Sequence, residues 1–231
     1  MVNRPALDGA ARRSSRRLES LVRKHLSVEE DEGTALLSQR LRAAKRRGHL
    51  TPRELHDVCR WKSARAIRRI RENSHHRVRA ATAAALATHN EQRRLEALLE
   101  LRGVGIPMAS ALLMLVDPKR YGVIDIRVWQ LLYTLRMVHE NRKGTQFRPG
   151  HWDQFLAILR RLASKLRVTA RDIERTLFDV HRGRQRRQKK RLYGSAGAAP
   201  NRRAEPSQLA SQPSPTTATS GTPRGRASPR A

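Results

Sequence analysis

Two glycines around a single valine, in the run Leu101-Arg102-Gly103-Val104-Gly105, constrain this chain more than any other feature. Glycine has no Cβ, so the backbone can take positive φ at both positions and can lie directly against a ligand. Before the turn, Leu95, Leu98, Leu99 and Leu101 recur at helical spacing; after it, Ala109, Leu112, Leu113 and Val116 do the same. The turn therefore joins two helices that pack through apolar stripes, a helix-hairpin-helix unit. The second helix, starting near Pro107, directs its first free N–H groups and the positive end of its dipole back toward the glycines. With the amides of Gly103, Val104, Gly105 and Ile106 this makes an anion site suited to a phosphate. Such contacts hold a duplex in place without reading its sequence.

A lone carboxylate follows. Asp125 comes after the apolar Val123 and Ile124 and before Ile126-Arg-Val-Trp-Gln-Leu-Leu-Tyr-Thr-Leu135, in which Val128, Leu131, Leu132 and Leu135 describe one helical face. Asp125 thus stands at a helix N-cap, a role worth about 1 kcal/mol by itself. Twenty positions separate it from Gly105, room for one short helix and a loop to bring the carboxylate back beside the hairpin.

The stretch LRGVGIPMASALL resembles the L-P-G-V-G hairpin and small-residue helix of the helix-hairpin-helix superfamily of base-excision DNA glycosylases, relatives of endonuclease III and 8-oxoguanine glycosylase. VIDIRVW resembles that superfamily's catalytic-aspartate segment, and the spacing agrees. The wording is nearest to bacterial members without assigned substrates. Clear resemblance covers Leu95 to Leu135, and a weaker one reaches from Leu36 to His181. It implies an all-α fold of two lobes with the hairpin and Asp125 at the cleft between them. It also implies double-stranded DNA, damaged or mispaired, as partner, met by a monomer, and it leaves room for a monovalent cation under the hairpin. Lyase members carry a lysine two positions after the second glycine, where this chain has Pro107, so the resemblance implies a monofunctional glycosylase without a lyase step. The iron–sulfur cluster of some relatives needs four cysteines, and Cys59 is the only one here.

The overall charge fits a polyanionic partner. Net charge is +29, from 49 Lys and Arg against 20 Asp and Glu. That excess attracts nucleic acid in a salt-dependent way, although an Arg- and Ala-rich composition accounts for part of it. Aromatic residues are only 4 %, so the core rests on Leu, Val, Ile and Ala. No apolar run approaches the roughly 18 residues of a membrane span. The first thirty residues lack a secretory apolar region, which suits a cytoplasmic, nucleoid-associated protein.

Taken in order, residues 1–33 read as a basic N-terminal segment, irregular to about Arg13 and then helical from Ser14 to Leu26. A glycosylase-like domain spans 34–182. In it Thr51-Pro52-Arg53-Glu54 is a strong helix start, and the spacing predicts one helix to about Asn73. Its apolar side is Leu55, Val58, Trp61, Ala64, Ile67 and Ile70; Arg60, Lys62, Arg65, Arg68, Arg69 and Arg71 form a basic face, either a phosphate-binding ridge or a solvated surface. Ser74 and Asn90 cap the next two helices. His75 and His76 diverge on a helix, and no metal site is expected. A polar loop from His139 ends at the breaker Pro149-Gly150, and Thr169 caps the last helix. Residues 183–231 read as a disordered basic tail.

A glycosylase must support a sugar that becomes oxocarbenium-like as the base leaves, and a carboxylate near C1′ does so while orienting water. Asp125 is the candidate catalytic residue. Trp129, Tyr133 and Trp61 are candidate walls for a flipped base, with helix core the competing role for Trp129. Arg102 and Arg127 are candidate phosphate contacts. The same hairpin also suits a non-catalytic DNA-binding module or lesion sensor, and the basic surfaces alone would suit RNA.

Overall fold

The computed structural model describes residues 4–193, with side chains from 9 to 188, and among these residues all regular structure is helical. Helix α1 spans Arg4–His25, α2 Glu32–Arg47, α3 Pro52–Ser63, α4 Ile67–Arg71, α5 His75–Ala87, α6 Glu91–Leu99, α7 Ile106–Val116, α8 Ile126–Thr134, α9 Pro149–Leu166 and α10 Ala170–Tyr193. A 3₁₀ turn, Ala64–Ala66, separates α3 from α4.

Local chemistry sets most starts. Thr51 Oγ1 accepts from the Glu54 amide at 3.2 Å while Glu54 Oε2 accepts from the Thr51 amide at 2.7 Å, so a reciprocal capping box opens α3. Ser74, Asn90 and Asp125 cap α5, α6 and α8 through their side-chain oxygens. Thr169 Oγ1 accepts from the Asp172 amide at the head of α10.

α7 is the centre. From Met108 to Val116 every residue is buried, a helix apolar on all sides that α2, α3 and α6 enclose. Its one polar interior residue, Ser110, is fully buried. The Ser110 hydroxyl donates to the Pro107 carbonyl at 2.9 Å and accepts from the Ile124 amide at 3.1 Å, tying the strand-like approach to α8 onto α7. α8, α9 and α1 pack on α10. At Gly122 a Cβ would come within 2.6 Å of Glu174 Cβ, so the missing side chain is what lets α10 lie against this approach segment.

Four expectations are corrected. The helix foreseen from Pro52 to Asn73 breaks after Ser63, whose φ of −167° and ψ of 100° are extended. Apolar positions three apart explain it: three residues turn an α-helix by only 300°, so each step falls about 60° short and the stripe leaves its face within a few turns. The N-terminal helix begins at Arg4 instead of Ser14, and Leu18 and Val22 are fully buried, so this segment belongs to the core. Pro149 and Gly150 start α9, as a proline at the first helical turn can. Residues 183–193, assigned to the tail by composition, continue α10 to Tyr193; residues 194–231 lie outside the described part.

Ser110→Ala should lower stability by about 1–3 kcal/mol, because the Ile124 amide is left buried without an acceptor. Urea denaturation of the two proteins measures it.

Candidate functional site

The glycine turn is held by a side chain that sequence reasoning passed over. Asn73 is 7 % exposed. Its Oδ1 accepts from the Arg102 amide and its Nδ2 donates to the Arg102 carbonyl, both at 2.9 Å, with a further bond to the Ile70 carbonyl. Val104 and Ile106 are buried in the core on either side of Gly105.

Only one of the two glycines is conformationally required. Gly103 has φ +81°, and a Cβ there would meet Arg69 Cβ at 3.0 Å and the Ile70 amide nitrogen at 3.1 Å. Gly105 caps α7 at φ −100° with no side-chain bond, and a Cβ there would meet nothing closer than Pro107 Cδ at 4.0 Å. The expectation of positive φ at both glycines is thus corrected. Among the described residues, the Gly103, Gly105 and Ile106 amides donate to no protein acceptor, whereas the Val104 amide closes the turn onto Leu101. Three donors and a helix N-terminus are open together. A shallow cavity beside Gly103 is lined by Arg65, Arg68 and Arg69.

Asp125 has two differently employed oxygens. Oδ1 accepts from the Arg127 amide at 2.7 Å and the Val128 amide at 3.3 Å, capping α8. Oδ2 lies 4.0 Å from Nζ of Lys62, the penultimate residue of α3. Both residues line a cavity of about 360 Å³ that also meets Trp61, Arg127, Glu174 and Phe178. That size falls within the roughly 300–1,000 Å³ of small-ligand sites. Lys62 opens onto this cavity while its neighbour Ser63 lines the one beside Gly103, so the end of α3 stands between the carboxylate and the turn.

The cavity floor is charged and internally paired. Glu174 is fully buried and contacts Arg171, which also meets Glu30 at 2.7 Å. Burial pushes the Glu174 carboxyl above the ordinary range, against the pull of Arg171. Burial works against the Arg171 charge as well, but Glu174 and Glu30 outweigh it and hold the guanidinium charged. Lys62 has a lowered pKa: burial disfavours the ammonium, and Arg171 and Arg127 add to that, against the opposing effect of Asp125 and Glu174. His181, one turn beyond Phe178, is likewise lowered, first by burial and then by Arg127.

The foreseen residues are distributed unevenly. Asp125, Trp61 and Arg127 share the cavity, with the Trp61 indole fixed by a 2.8 Å bond to Thr34 Oγ1 and the Arg127 guanidinium 5.3 Å over the Phe178 ring. Trp129 does not reach it. It is fully buried, donates from Nε1 to the Asn141 carbonyl at 3.0 Å and packs edgewise on Phe147, so it is core that pins the following loop. Tyr133 lines a different cavity, near Ala10, Arg136 and His139. Arg102 is exposed and pairs with Glu72 at 3.0 Å. Lys62 leaves the basic face it was assigned to and turns inward, only 20 % exposed. Besides Asn73, sequence reasoning missed Arg171, Glu174 and Phe178 and the inward turn of Lys62 as parts of this cavity. No three His, Cys, Asp or Glu side chains among the described residues are grouped to hold a metal ion, and no described helix is long and apolar enough to cross a membrane. Comparison of the chain with family models, curated proteins and solved structures finds no match.

Alanine at the two glycines should separate folding from binding. Gly103→Ala should cost about 1–3 kcal/mol through its left-handed φ and the contact with α4. Gly105→Ala should melt with the wild type yet bind duplex DNA several-fold more weakly in a low-salt titration, since a methyl group stands only in the path of a ligand.

Proposed function

We propose that this protein binds double-stranded DNA and hydrolyses the N-glycosidic bond of a damaged or mispaired base, with Asp125 as the catalytic carboxylate, acting as a monomer in base excision. The observation that carries this reading is the division of labour within Asp125. One oxygen is committed to the α8 amides, which fixes the side chain, and the other faces a cavity of about 360 Å³ without an amide partner. A carboxylate held this way is preorganised for positive charge that develops on a sugar, and needs no reorganisation as the base departs.

The surroundings suit the rest of the task. A flipped base in this cavity would meet the aromatic side chains of Trp61 and Phe178. The open amides of Gly103, Gly105 and Ile106, with Arg65, Arg68 and Arg69 nearby, would take the phosphates that flank it. Arg127 lines the same cavity, over the Phe178 ring. The resemblance to helix-hairpin-helix glycosylases supports the same assignment, and the fold class it implies is compatible with the all-helical architecture.

A second reading, a lesion sensor without chemistry, is favoured by one observation: the Asp125 carboxylate already serves as cap and as the partner of Lys62. The two readings part in a single assay. Wild type and Asp125→Asn, which keeps the cap oxygen and loses the charge, are compared for base release and for binding on a panel of lesion-bearing duplexes. The glycosylase reading expects binding by both and a loss of release by about 10²–10⁴-fold in the variant. Equal binding with no release by either protein across the panel would favour the sensor.

A further inference from the structure

In a disordered tail the arginines of the basic run after His181 would be equivalent, but as part of α10 they have fixed directions. Each residue turns a helix by about 100° and advances it by about 1.5 Å. Arg171, Glu174, Arg175 and Phe178 recur in steps of three or four and together line the cavity beside Asp125. Arg182 and Arg186 stand seven and eleven positions after Arg175, which returns each of them to within about 20° of its direction. They prolong the cavity face of α10 by about 6 and 12 Å beyond Phe178. Arg184 and Arg187 are turned from Arg175 by about 180° and 120°. They line a separate cavity of about 270 Å³ against Leu21 and His25 of α1. The helix thus sorts one basic run onto two sides.

We propose that Arg182 and Arg186 form a ridge for the phosphates of duplex DNA, extending the bound stretch to one side of the Asp125 cavity along α10. The proposal rests on the reading of that cavity as a DNA site, because only a duplex engaged there is brought alongside this face of the helix.

Spacing and chemistry suit a phosphate backbone. Arg182 and Arg186 are about 6 Å apart along the helix axis, and a duplex advances about 3.4 Å per base pair, so the ridge matches roughly two steps. Both side chains are exposed. Arg182 meets Asp179 at 3.5 Å, a half-exposed pair one turn away of the kind that contributes little and yields to a phosphate. The one acid among the residues of this face that line the cavity, Glu174, is engaged by Arg171 and does not oppose an anion outside. Guanidinium groups bind phosphate oxygens with two parallel donors, and a helix holds them in register at less ordering cost than a coil. Charge alone makes no such selection: removing any two of the four arginines weakens long-range attraction alike. Contact does select, since each phosphate bound releases counterions and adds about 0.9 to the slope of log affinity against log salt.

The test titrates the full chain against a fluorescein-labelled undamaged duplex, long enough to overrun the cavity on both sides, at a series of salt concentrations. Two double variants remove the same charge from opposite sides of α10: Arg182→Gln with Arg186→Gln, and Arg184→Gln with Arg187→Gln. The first should bind roughly tenfold more weakly at low salt, with a slope shallower by about two. The second should keep the wild-type slope. Arg182→Lys with Arg186→Lys keeps both cations and should restore most of the slope. Should the first double variant melt early, Arg186→Gln alone serves in its place, with a slope shallower by about one. Equal losses in the two double variants would reduce the ridge to bulk charge and overturn the proposal. An unchanged slope in the Arg182 and Arg186 variant, with a wild type that binds duplex DNA, would overturn the ridge and leave the DNA reading standing. A loss on duplex RNA with none on DNA would overturn the assignment to DNA. A wild type that binds no duplex even at low salt would overturn the DNA reading and the ridge together.

Discussion

A helix that is apolar on every side has to be enclosed, and α7 imposes that condition on the whole chain. Burying Met108 to Val116 requires neighbours all around, and α2, α3 and α6 supply them. Each buried aliphatic side chain contributes roughly 1.5–3 kcal/mol, so the enclosure outweighs any local preference of the elements that provide it. Only the ends of α7 can remain polar. Its first turn therefore emerges at Gly105, where no side chain caps it and where the amides of Gly105 and Ile106 are left open. Its single interior hydroxyl, Ser110, reaches across to the Ile124 amide and draws the residue before Asp125 against the same helix. Turn and carboxylate are thus positioned by one element, and the approach between them does not depend on loops.

The cavity beside Asp125 is built from charges that mostly answer one another. Arg171 meets Glu30 and Glu174, Arg175 meets Glu30, and Glu174 is buried. Such pairs rarely add net stability, since their attraction is offset by desolvation; removing one partner, however, leaves a buried charge uncompensated. They make a stiff floor. Lys62 differs from them in meeting a single carboxylate, Asp125, at the longer distance of 4.0 Å.

What was legible in the sequence was local. Thr51, Ser74, Asn90 and Asp125 announce helix starts because a cap depends on residues two or three positions away, and each is a cap in the fold. The leucine stripes and the paired glycines placed α6, the turn and α7 for the same reason. Juxtapositions across the chain left no such mark. Asn73 reaches a backbone 29 positions away, Ser110 one 14 positions away. Glu174 looks like an ordinary helix acid until Gly122 allows α10 to close on it. Trp129 misled in the opposite sense: one turn past Asp125 on the helix, its indole could face the site or the core, and the loop carbonyls of Glu140 and Asn141 supply the partners that keep it inside.

The break after Ser63 joins these observations. Had the chain continued as one helix to Asn73, the every-third-residue apolar pattern would have wound around it and exposed part of the stripe. The 3₁₀ turn resets the phase, because residues three apart coincide in that geometry. Ile70 can then be fully buried against the glycine turn, and Asn73 can bridge to Arg102. The reset also divides the basic residues between two tasks. Lys62, before the break, faces Asp125, while Arg65, Arg68 and Arg69, within and beyond it, lie outward beside Gly103. A pattern that reads as a single basic face in the sequence is, in the fold, one amine directed at a carboxylate and a separate cationic surface beside open amides.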